Sequence, residues 1–148
     1  MTERNLELNL LADVLFKKKE ALQYILNITE NQEMVLKQPK SQEITDLFNE
    51  MSAEKQRQID TVLQSDVVFQ DIFARLKNTF DDVAENNKEQ VRILQDLIKE
   101  VTDIDVAIRV KEERNKTLFN QNHTTSKPDT TNTNKRYLLE QYAKHKKD

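Results

Sequence analysis

Val91-Arg92-Ile93-Leu94-Gln95-Asp96-Leu97-Ile98-Lys99-Glu100-Val101-Thr102-Asp103-Ile104-Asp105-Val106-Ala107-Ile108 is the stretch whose reading decides the fold. Val91, Leu94, Ile98, Val101, Asp105 and Ile108 recur at steps of three and four, which places them on one face of an α-helix. Leu97, Ile104, Leu118 and Phe119 widen that stripe. The pattern predicts a helix from about Asn87 to Asn120, about 50 Å long at 1.5 Å per residue.

Upstream, Asp81, Asp82, Asn86 and Asn87 interrupt the apolar pattern and predict a bend or short connection. The stripe keeps its phase across them, so one unbroken helix from Asp66 onward stays open as an alternative. Before that bend, Phe69, Ile72, Phe73, Leu76, Phe80 and Val83 follow helical spacing, with Ser65 or Asp66 as the expected cap. Ser41 is the expected N-cap of the preceding helix, with Glu43 near its positive end. The stripe there runs Ile44, Leu47, Phe48 and Met51, then a polar gap in which Ser52-Ala53-Glu54 offers a restart, then Ile59, Val62 and Leu63. The N-terminal segment from about Thr2 to Lys37 reads as one helix on Val14, Ala21, Ile28 and Val35, flanked by Leu8, Leu15, Leu22 and Leu36, with Leu11 and Ile25 in the same stripe. Thr29 and Gln32 dilute its face. Pro39 cannot continue the ladder and ends that helix.

The whole chain of 148 residues contains no glycine, where an average protein of this length carries about ten. Glycine-dependent phosphate loops, dinucleotide turns and nucleophile elbows are therefore absent. Hydrophobic residues form 36% and charged residues 33% of the chain, a balance suited to long helices with narrow apolar stripes. The expected fold is all-α, an elongated antiparallel bundle of three to four helices in residues 1–120.

The net charge of −3 is spread in both signs without a basic block before residue 135, which argues against nucleic-acid binding. There is no cysteine, so neither disulfides nor thiolate metal sites arise. No segment has the apolar run of a membrane span, and Met1 to Asn5 lack a signal-peptide core. A cytoplasmic protein without membrane insertion is the expectation.

His123 and His145 have no partner at ligand spacing, and no E-x-x-H motif of the di-iron type occurs. No catalytic residue, metal or cofactor is assigned. Asp105 falls on the apolar stripe. It reads as an exposed edge of the stripe, as a salt bridge to Arg109 or to an Arg on another helix, or as a polar contact that fixes helix register.

Residues 121–134 hold no large apolar side chain and read as a polar linker. After them, residues 135–148 regain amphipathic character. Tyr137, Leu138, Leu139 and Tyr142 form an anchor of the helix-in-groove kind, or else fold back as a fourth bundle helix.

This layout resembles the FlgN/FliT-type flagellar export chaperones of bacteria. The resemblance is carried by Leu22, Ile25, Ile28, Thr29, Glu30, Gln32 and Glu33, then by Ile59-Asp60, Leu63, Asp66, Phe69, Phe73 and Leu76-Lys77. Ile98, Val101, Ile104-Asp105 and Asn115 continue it, followed by the polar linker and the Tyr-containing basic tail. The Thr- and Asn-rich linker is longer than the family pattern leads one to expect. The resemblance implies a chaperone that binds the helical C-terminal segment of hook-associated or filament-cap subunits before export. An apolar groove can cover such an assembly helix. Its expected lining is Ile104, Ile108, Leu118 and Phe119, with Tyr137, Leu138 and Tyr142 as lid or second contact. The alternatives are a structural coiled coil or dimerising adaptor, whose partner is a second copy of the chain, and a metal or hydrolytic enzyme built in a bundle.

Overall fold

The computed structural model describes residues 5–125, which form an all-α helical bundle. Helix α1 spans Leu6–Leu36, α2 spans Gln42–Leu76, α3 spans Phe80–Asn86 and α4 spans Lys88–Thr125. Among the described residues none has a positive φ, as a backbone without glycine favours.

Local chemistry sets the helix ends. Asn5 caps α1, its Oδ1 accepting from the amide of Leu8 at 3.1 Å, so the helix starts four residues later than the periodicity alone suggests. Lys37 and Gln38 close its other end with bonds to the carbonyls of Met34 and Val35, ahead of Pro39. Ser41 caps α2 as expected, its Oγ accepting from the amide of Ile44 at 3.2 Å. The restart at Ser52 and the cap at Ser65 or Asp66 do not occur: α2 is one helix of 35 residues. The break falls at 77–79 and the short α3 follows, with Asn87 outside both α3 and α4. A single helix from Asp66 onward is thereby excluded. Helix α4 runs through Thr125, so the first residues assigned to the linker are helical. The remainder of residues 121–134, and residues 135–148, lie outside the described residues.

The described chain divides into two compact units. Unit 1 combines α1 up to Gln23, α2 from Asp60, α3, and α4 up to Asp105. Its core is Leu8, Leu11 and Leu15 of α1, Ile72 and Leu76 of α2, and Leu94 of α4. Phe69, Phe80, Val83, Val91 and Leu97 pack around them. Phe69 stacks on Phe73 with centroids 6.2 Å apart, and Phe73 meets Phe80 at 5.6 Å. Ion pairs link Lys18 to Asp66 at 2.6 Å and Lys19 to Glu100 at 2.5 Å. Within this unit α2 runs antiparallel to α1, while α4 runs parallel to α1. The amide side chain of Gln90 bonds the carbonyl of Asn5 and accepts from its amide, which fixes that parallel alignment.

Unit 2 combines α1 from Tyr24, α2 up to Ile59, and α4 from Val106. Val35, Phe48 and Phe119 form its apolar core, with Leu36, Ile44 and Met51 packed against them. The rings of Phe48 and Phe119 are tilted at 53° with centroids 6.4 Å apart. The same up-down-up directions hold: Val35 meets both Phe48 near the start of α2 and Phe119 near the end of α4.

Candidate partner-binding site

A layer of polar side chains lies across the interior of unit 2. Thr29, Gln32 and Asn115 are wholly buried, and Ser52, Lys55 and Glu112 nearly so. Each long helix contributes two of these residues. Lys55 Nζ lies 2.6 Å from Glu112 Oε1. The Thr29 hydroxyl donates to the carbonyl of Ile25 at 2.7 Å and lies 3.2 Å from the same carboxylate oxygen. Asn115 Nδ2 donates to the carbonyl of Thr29 at 2.9 Å, and Gln32 Nε2 to Ser52 Oγ at 3.1 Å. Burial pushes the Lys55 ammonium below its ordinary pKa, against the opposing pull of Glu112. Such a pair is expensive to desolvate, which offsets much of its mutual attraction.

Beside this layer, Glu33 gathers three cations. Lys37 Nζ, Lys111 Nζ and Arg114 Nε lie 3.3, 3.5 and 3.2 Å from its carboxylate oxygens. Burial works to raise the Glu33 pKa, but the Lys37 hydrogen bond and the charges of Arg114, Lys111 and Lys37 outweigh it. The carboxyl is held below its ordinary 4.5.

Where α1 gives way to α2, unit 2 carries an open cleft of about 420 Å³ lined by Leu36, Lys37, Gln38, Pro39, Lys40 and Leu118. Leu36, Pro39 and Leu118 supply its apolar surface, and Lys37 and Lys40 stand exposed. Of the expected groove residues, Leu118 lines this cleft and is half-buried. Phe119 and Ile108 are buried, and Phe119 is taken up by the core of unit 2. Ile104 is half-buried and belongs to unit 1. Tyr137, Leu138 and Tyr142 lie outside the described residues. Asp105 is half-buried on α4.

Sequence reasoning missed Leu36, Pro39 and Lys40 as cleft residues. Pro39 was read only as a helix stop, although a turn beside two leucines is where a bundle end stays uncovered. It also missed several exposed apolar side chains of unit 2, among them Val106 and Val110, one turn apart on α4, and Met34 and Tyr24 on α1. These lie off the main stripe, so periodicity gives them no weight. Among the described residues no helix is long and apolar enough to cross a membrane.

No family model, no curated protein and no solved structure matches the chain.

Proposed function

We propose that the protein is a non-enzymatic binding protein that covers a helical segment of another chain, in the manner of the FlgN/FliT-type export chaperones it resembles. Its client is then the helical C-terminal segment of a flagellar hook-associated or cap subunit, held unassembled in the cytoplasm before export. The observation that carries this reading is the apolar cleft at Leu36, Pro39 and Leu118. Uncovered apolar side chains beside polar ones give a partner helix a place to bury an apolar residue. Val106 and Val110 extend the apolar surface available on unit 2. Tyr137, Leu138 and Tyr142 serve as a second contact in this reading.

Size-exclusion chromatography with light scattering, with and without a filament-cap or hook-associated subunit, tests it. A complex of defined stoichiometry is the expected result. Self-association that ignores the subunit would favour the dimerising adaptor instead.

A further inference from the structure

We propose that the Leu36–Pro39–Leu118 cleft receives an apolar side chain of an acidic amphipathic helix, whose flanking carboxylates pair with Lys37 and Lys40. The identity of this surface as a partner site rests on the binding reading above; the sign of the partner's charge is the new element.

Exposed cations stand beside this apolar surface. Lys37 lines the cleft and also belongs to the Glu33 cluster. In that cluster three cations share one carboxylate among the described residues, so cations outnumber the acid they surround. Arg114 is more than half exposed and Lys37 nearly so, by their side chains. Lys40 adds a further exposed cation at the rim. Exposed cations at the edge of an apolar patch favour a partner of opposite sign and repel one of like sign. The chain's own residues 135–148 are poorly suited as occupant. They carry Lys135, Arg136, Lys144, Lys146 and Lys147 against Glu140 and Asp148, so they match the rim in sign. A foreign helix with leucines flanked by glutamates meets both requirements.

The probe is a fluorescein-labelled synthetic helix of leucine and glutamate, compared with an equal-length helix of leucine and lysine. Both are titrated with the full chain and followed by anisotropy. Two exposed ion pairs supply a preference of about fivefold for the acidic peptide, weakening with added salt. Lys40→Glu, which touches no described salt bridge, should reduce that preference. Lys37→Glu with Lys40→Glu should reverse it, with helical content unchanged by circular dichroism. Leu118→Gln should weaken both peptides alike.

Equal binding of the two peptides, a preference for the basic one, or no binding at all would overturn the proposal. So would concentration-dependent self-association abolished by Lys40→Glu, which assigns the cleft to a second copy. A flagellar subunit that binds equally well to wild type and to the Lys37/Lys40 double variant overturns this inference and leaves the chaperone reading standing. An acidic-peptide preference without any subunit complex does the reverse.

Discussion

Lys55 Nζ and Glu112 Oε1 lie 2.6 Å apart between two antiparallel helices, with side chains only 3% and 10% exposed. Removing one member of such a pair differs sharply from removing both. Glu112→Ala leaves a buried ammonium without its closest counter-charge, and a loss of about 3–5 kcal/mol is expected. Lys55→Met with Glu112→Leu should be neutral or stabilising by about 1–4 kcal/mol. Urea denaturation of the wild type and the two variants, read at fixed m-value, checks the ordering.

Acid should weaken the protein partly through Glu33. Its carboxyl is held below 4.5 in the folded chain, so the unfolded chain takes up the proton first as pH falls. The stabilisation is therefore complete above the unfolded pKa and is lost as pH falls through the lower folded value. Glu33→Gln should lack this part of the acid dependence. Unfolding midpoints measured from pH 7 down to pH 3 should converge for the two proteins at the acid end.

Phe48 and Phe119 carry the apolar core of unit 2, and Phe48 is 1% exposed. Phe48→Ala should cost about 3–5 kcal/mol through lost burial and the cavity left behind. Ser41→Ala removes only the cap on α2 and should cost about 0.5–2 kcal/mol. Thermal unfolding of both variants separates the two magnitudes.

Deleting residues 135–148 should change affinity for the partner several-fold, because Tyr137, Leu138 and Tyr142 are lost as a second contact. Helical content of the remainder should stay nearly intact by circular dichroism. Isothermal titration of full and shortened chains against the same subunit checks it, and equal affinities would remove the tail from the mechanism.

The existence of three long helices was legible because their stripes hold phase over many turns. The path of α2 was not. The gap between Met51 and Ile59 looks like a break, yet Ser52 and Lys55 there point inward and meet polar partners. The same holds on the other helices: Thr29 and Gln32 continue the steps of Leu22 and Ile25, while Glu112 and Asn115 continue those of Val101, Asp105 and Ile108. Three gaps in apolar character were thus one buried layer, a signal visible only when the helices are laid side by side. Asp105 drew attention as the charge on the stripe, while the deeper carboxylate was Glu112. Of the two adjacent residues expected in the groove, Leu118 lines the cleft while Phe119 is taken up by the core of unit 2, since neighbours on a helix stand about 100° apart.

The unbroken course of α2 has an outcome for how this sequence can vary. Between Phe48 and Leu76 no residue leaves the helix, so nothing there can absorb a change in length. One inserted amino acid would swing every later side chain by about 100° around the axis, carrying whichever of Ser52, Lys55, Ile72 and Leu76 follow it away from their partners. Insertions and deletions should therefore survive at 37–41 or 77–79 in preference to the interior of α2.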